Sequence, residues 1–252
     1  MILEEKAYLF DFNKLEDVYR QPSCSMKFET CKNTEGLGCL YSHKQRNVVI
    51  LPGKVETAVQ VYDSERDSCS HFDLGEVPAA ISGNIHGDVF AYTCSQGTKI
   101  HLCKLEDGTK YKTFSRGSKA AEVTSIVFDK FCFRMVVASK KDTIHVFALP
   151  SELALNGKNP EEVKSSIYTF ESEEPNSKSI PHNIMESQIN PKGGLFSRMF
   201  GASEETSYLK VYISSPEKQV AITEDSQLLI VTQEGKYFHI DITSKGNVYE
   251  GD

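Results

Sequence analysis

The chain has 252 residues, 39% of them hydrophobic and 25% charged, a composition suited to one ordinary globular domain or two small ones. A net charge of −7 argues against general attraction to nucleic acid or acidic membranes, so any anion site has to be a local cluster working against the overall field. No apolar window approaches the length of a membrane span, and the acidic start "MILEEKAYLF" lacks the positive end and apolar run of a signal peptide.

Short strands dominate in chain order: "KAYLFDF", "RNVVILP", "TAVQVYD", "DVFAYT", "TKIHLCKL", "KYKTF", "EVTSIVFD", "RMVVAS", "DTIHVFAL", "YLKVYI", "KQVAIT", "QLLIVT" and "KYFHIDI" are rich in β-branched and aromatic residues. Gly, Asn, Asp or Ser separates most of them. No uncontested amphipathic helix precedes residue 150, and the domain is expected to be nearly all β. The cysteines Cys24, Cys31, Cys39, Cys69, Cys94, Cys103 and Cys132 are scattered, odd in number and without a C-x-x-C pair. They are expected to be reduced thiols in a cytosolic protein rather than a disulfide framework or a zinc site. The ending "VYEGD" has no lipidation cysteine.

A repeat runs through the strands. "GTKIHLC", "DTIHVF" and "GKYFHIDI" each set a histidine (His101, His145, His239) three or four residues after a turn residue, and "ETAVQVYD" places Gln60 in the matching position. His101 and His145 are 44 residues apart, a spacing of about 40–45 residues that suits one four-stranded propeller blade. The longer gap to His239 is attributed to an insertion over Ser151–Thr206, rich in Ser, Glu, Asn, Lys and Pro. The remaining chain makes roughly four to five blades at about 42 residues each. Residues 1–252 are therefore taken as one β-propeller domain carrying a long, partly disordered inserted loop at 151–206.

These segments resemble the WIPI/PROPPIN family, WD-type propellers of seven blades that bind phosphoinositides in autophagy. "FETCKNTEGLGCL" is similar to the family's F-E-T-x-x-N-P-x-G-L-C segment, and "VVILPGKVETAVQVYD" to its L-A-F-P-G…G-x-V-Q-x-x-D strand pair. "QGTKIHLCKLEDGTKYKTFSRGSKAAEVTSIVFD" is similar to K-G-T-L-I-R-x-F-D-T…L/F-R-R-G…I-x-S-I-x-F, and "DTIHVFAL" to G-T-V-H-I-F. The order and spacing of the pieces together are specific. Because the family carries about two further blades before the point matching Met1, the resemblance implies an incomplete seven-blade propeller with about five blades present.

The resemblance also implies sites. The family's R-R-G arginines serve two headgroup pockets, and here they become Ser115 and Arg116. The first pocket looks eroded: His101 replaces an arginine, Cys94 a serine and Ala79 a frequent serine. Neither Ser nor neutral His replaces a bidentate guanidinium. The second pocket looks kept, with Arg116 presented by a turn at Gly117, Ser125 on the next strand, and Ser139, Thr143 and His145 in the S…G-T-x-H run. A phosphomonoester wants a guanidinium, hydroxyl donors and an imidazole able to protonate beside it, and Lys140 and Lys141 add attraction. The structural alternative for the same residues is a hairpin cap at Arg116, a hydrogen-bonded core histidine at 145 and ordinary strand hydroxyls.

In the family the loop at the insertion's position enters the bilayer. Within "PKGGLFSRMFGASEE", Leu195, Phe196, Met199 and Phe200 would form one apolar face on a helix, bordered by Lys192 and Arg198. Such a face serves equally to enter a membrane or to fold back onto the propeller. The expected protein is a cytoplasmic effector, peripheral on phagophore or endosomal membranes. It would read phosphatidylinositol 3-phosphate or the 3,5-bisphosphate, and its partners would be autophagy proteins of the lipid-transfer or conjugation machinery rather than nucleic acid. The competing expectation is a WD-repeat protein scaffold with decayed lipid binding. No H-E-x-x-H, G-x-S-x-G, P-loop or G-x-G-x-x-G occurs, and Cys103 with His101 lacks an evident orienting acid. No catalysis, cofactor or metal is expected.

Overall fold

The computed structural model describes residues 1–10, 24–43, 46–150, 153, 204–223, 227–242 and 248–251. β1 (Lys6–Phe10) and β2 (Cys24–Glu29) pair as an antiparallel two-stranded sheet. A four-stranded meander follows, made of β3 (Cys39–His43), β4 (Arg46–Pro52), β5 (Ala58–Asp63) and β6 (Ser68–Asp73). The next comprises β7 (Ala80–Gly83), β8 (Val89–Thr93), β9 (Lys99–Lys104) and β10 (Lys110–Ser115). The third begins with β11 (Val123–Phe128), β12 (Arg134–Ser139) and β13 (Thr143–Ala148). The chain then lays β14 (Glu204–Thr206) parallel on the outer edge of β10 before β15 (Leu209–Tyr212) completes the third sheet against β13. β16 (Lys218–Ile222), β17 (Gln227–Thr232), β18 (Tyr237–Asp241) and β19 (Val248–Gly251) form the last sheet.

This is a WD-type β-propeller. The first strands of successive sheets lie side by side, β3 next to β7, β7 next to β11 and β11 next to β16. Among the described residues there are four blades of four strands, the second extended at its edge by β14, and one two-stranded unit, where the sequence led us to expect about five blades. The repeat acquires a structural meaning here: Gln60, His101, His145 and His239 all lie on the third strand of their blade, on β5, β9, β13 and β18.

The continuous apolar runs follow from blade stacking. A sheet covered on both faces alternates not between core and water but between two cores. On β8, Phe90 and Tyr92 pack towards β4 and β5, among Ile50, Val59 and Val61, whereas Val89 and Ala91 join Phe114, Met135, Val137 and Phe147 on the other side. On β12 the same division sends Met135 and Val137 one way, while Val136 and Ala138 meet Val220, Leu228 and Ile230 of the last blade. Each fully buried Val, Ile, Leu or Phe contributes about 1.5–3 kcal/mol relative to exposure, so the seams between blades hold the fold together. The outer strand β6, "SCSHFD", is exposed or half-exposed throughout. All seven cysteines are free thiols, and burial pushes Cys103 and Cys132 up to about 12, far from the reactive thiolate range.

Candidate functional site

Arg116 follows directly on β10. Its amide donates to Thr98 O at 2.8 Å, and Ala121 N donates to Gln96 O at 3.0 Å, so the loop after β10 lies along the β8–β9 turn. Gly97 makes that approach possible: its φ is +59°, and a Cβ there would stand 2.1 Å from the Ala121 carbonyl oxygen. The Arg116 side chain enters the same seam and is 6% exposed. Its Nε donates to Gly97 O and its Nη2 to Lys119 O, the latter at 2.7 Å. Burial lowers the guanidinium pKa. Arg116 is therefore a brace between two loops, and among the described residues its hydrogen bonds go to backbone carbonyls rather than to Ser125, Thr143 or His145. Gly117 has φ +145° and open space around it.

The other predicted residues lie on the adjoining blade. Ser125 is half-exposed on β11 opposite Ala138, beside a register shift between Val123 and Ser125. Ser139 ends β12 fully buried, its Oγ accepting from Lys141 N at 3.4 Å. Lys141 is half-buried in the β12–β13 turn, and Thr143 is half-exposed opposite Tyr212. Lys140 is paired with Glu122 at 2.7 Å. The turn is held from beneath by Lys218, 2% exposed, whose Nζ donates to Lys141 O and Ser215 O at 2.6 Å each.

His145 is 4% exposed. Its Nδ1 lies 3.0 Å from Ser207 Oγ, and its ring stacks on Phe147 at 6.1 Å and 14°. Burial first, then the positive charges of Lys210 and Arg116, bring its pKa down to about 3. The expected imidazolium is thus replaced by a neutral imidazole, because the charged form would have to leave water beside two cations. That repulsion also places Arg116 within electrostatic reach of His145, across the seam between the second and third blades.

Of the residues attributed to the eroded pocket, Cys94 and Ser115 are half-buried and Ala79 exposed. His101 has one ring nitrogen 3.0 Å from Thr113 Oγ1 and the other 3.0 Å from Glu76 Oε1. Leu195, Phe196, Met199 and Phe200 lie outside the described residues. Sequence reasoning missed Ser207 and Lys218: each reaches its partner across 62 or 77 residues, and neither stands in a motif.

A cleft of about 290 Å³ lined by Arg46, Asp63, Arg66, Asp88, Lys104 and Glu106 offers no comparable anion site, since Arg46 is bidentate on Asp63 through Nε and Nη2. Among the described residues there is no group of three or more His, Cys, Asp or Glu able to hold a metal, and no helix is long and apolar enough to cross a membrane.

No family model matches the chain. Autophagy-related protein 18e of Arabidopsis thaliana is 25% identical over 154 residues, covering 61% of this chain and 39% of its own length. SVP1-like proteins of fungi are further relatives, that of Candida glabrata being 35% identical over 85 residues, which is 33% of this chain and 19% of that protein. The chain thus spans well under two thirds of the length of these relatives. The crystal structure of Hsv2 from Kluyveromyces marxianus superposes with a TM-score of 0.60 at 13% identity, covering 98% of this chain and 65% of that one. The chain is accordingly similar in sequence to the autophagy-related protein 18 and SVP1-like proteins, and shares the fold of Hsv2.

Proposed function

We propose that this chain is a phosphoinositide effector of autophagic or endosomal membranes, reading phosphatidylinositol 3-phosphate or the 3,5-bisphosphate and recruiting autophagy proteins without any covalent step. What supports the reading is that the Arg116 charge is felt by His145 across the seam between blades, and His145 shares its hairpin with Ser139, Lys141 and Thr143, in a chain similar to autophagy-related protein 18e. Arg116 commits Nε and Nη2 to carbonyls. Its contribution to a phosphate would come through Nη1 and through its field, with the Lys141 ammonium and the Ser125 and Thr143 hydroxyls as further donors. Neutral His145 would take part as a hydrogen-bonding group rather than as a cation. The apolar residues Leu195, Phe196, Met199 and Phe200 of the insertion would supply a second attachment, and stable peripheral binding generally needs two.

The burial of Arg116 favours a second reading, a protein scaffold whose lipid binding has decayed. A related fold is seen in the complex of an Atg21 protein with the coiled-coil of Atg16, at a TM-score of 0.60 and 11% identity over 98% of this chain and 65% of that one. Flotation with vesicles lacking or containing the 3-phosphoinositide separates the two. The effector reading expects capture only by the lipid-bearing vesicles, weakened at least tenfold by Lys141→Ala with Thr143→Ala. Equal behaviour on both vesicle types rejects it.

A further inference from the structure

The second blade carries one strand more than a blade needs. The other three blades have four strands each, and the second has five because β14 lies outside β10. β14 is also the exception in direction. It runs parallel to β10, while every other strand pair among the described residues is antiparallel. Its register sets Glu204, Glu205 and Thr206 opposite Thr113, Phe114 and Ser115.

What β14 covers is an edge, the row of backbone N–H and C=O groups that an outermost strand leaves for another strand to pair with. The outermost strands differ in charge. β6 is "SCSHFD", β15 "LKVY" and β19 "VYEG", whereas β10, "KYKTFS", has two lysines and no acid. The Lys110 side chain is 47% exposed and Lys112 is half-buried. Lysines on an edge keep basic and apolar strands away, and opposite charges across a strand pair favour pairing. The segment seated here is "EET", with two acids in three residues. β10 runs regularly against β9 from Lys112 to Ser115, so the position opposite Lys112 lies just beyond the reach of β14.

The downstream end of β14 is anchored on the third blade. Ser207 is 4% exposed with its Oγ 3.0 Å from His145 Nδ1, and Tyr208 N donates to Val146 O at 3.0 Å. Lifting Glu204–Thr206 off β10 therefore leaves all four strands of the third blade paired. A short parallel ladder at a sheet edge is also among the parts of a fold that open most easily.

We propose that the outer edge of β10 is a strand-addition site for an acidic, extended segment of a protein partner, running parallel to β10, and that Glu204–Thr206 occupies this site in cis. Main-chain pairing supplies the affinity and the lysines select the charge. A partner segment pairing from Lys112 to Ser115 gains the position that β14 leaves uncovered, and an acid there stands opposite Lys112. The site is independent of the lipid reading, and its test contains a peptide and no phosphoinositide.

The test is fluorescence anisotropy of a labelled peptide of residues 201–208. It is titrated with the full chain and with a variant that vacates the edge, Glu204→Gly with Glu205→Pro and Thr206→Gly. The variant should bind the peptide at least tenfold more tightly than the wild type. Ser203→Glu in the peptide, which puts an acid opposite Lys112, should tighten binding a further threefold or more, and Glu204→Lys with Glu205→Lys should weaken it at least tenfold. Equal binding by wild type and folded variant, or none by either, overturns the site. Binding indifferent to these charge changes overturns the acidic partner. Capture of the variant by phosphatidylserine vesicles without peptide binding gives the lysines to a membrane surface and also overturns the proposal. Should the triple variant fail to fold, Glu205→Pro alone carries the same expectation, and no gain over wild type overturns the proposal.

Discussion

Replacing Arg116 by alanine separates a brace from a ligand. The guanidinium donates to Gly97 O and Lys119 O inside a seam where it is 6% exposed. Each hydrogen bond from a charged donor is worth about 1.5–3 kcal/mol when its partner is left buried and unpaired. Against this stands the relief of returning the space of a partly desolvated cation to water, which the lowered guanidinium pKa makes real. The net loss should be about 3 kcal/mol, a fall in melting temperature of about 6–12 °C for a domain of this size. Arg116→Lys, able to reach one carbonyl at a time, should lose about half as much. Urea melts monitored by circular dichroism measure both, with an unchanged m-value showing that the denatured state is the same. A loss under about 0.5 kcal/mol in the alanine variant would refute the brace.

Three further outcomes follow from the same coordinates. His145 stays neutral in the folded protein down to about pH 3, whereas its ordinary value is 6.5. The unfolded chain therefore binds more protons between those values, and this contribution to stability, complete above pH 6.5, is lost as the pH falls through the window. Urea midpoints at pH 7 and pH 5 should show about 2 kcal/mol of the difference, and His145→Gln should flatten it. Gly97→Ala should destabilise by about 3 kcal/mol or more, because the new Cβ meets the Ala121 carbonyl at 2.1 Å with φ at +59°; thermal melts decide it. Lys218→Ala leaves Lys141 O and Ser215 O without their donor. It should cost about 2–3 kcal/mol and speed amide exchange at residues 140–143 by tenfold or more, and unchanged exchange there would count against Lys218 as the support of that turn.

The strands that stood out in the sequence are the strongly apolar ones, such as "RMVVAS", buried along its whole length, and "QLLIVT", buried on one face, whose bounds coincide with β12 and β17. β2, β3, β6 and β7 did not stand out. β6 is an exposed outer strand with Ser, His and Asp among its residues, and the inner strand β7, "AISG", is short and built largely of small side chains. The histidine repeat was visible, and it marks one position in the blade. What each repeat residue bonds was not visible, since Gln60 reaches Glu29 O, His101 reaches Glu76 and His145 reaches Ser207. Those partners are set by blade stacking rather than by local spacing. Arg116 shows the same limit: an arginine between Ser and Gly in a turn reads as a residue facing water, and only the approach of the β8–β9 turn draws its head inward.

β14 joins two blades. Having built most of the third blade, the chain crosses to the rim of the second for three residues, Glu204–Thr206 against Thr113–Ser115, and then returns to close the third. The stitch ties its segment to a partner about ninety positions earlier, the kind of distant contact whose closure slows folding. Once made, it also means that a pull on the long connection from outside would be transmitted to two sheets at once.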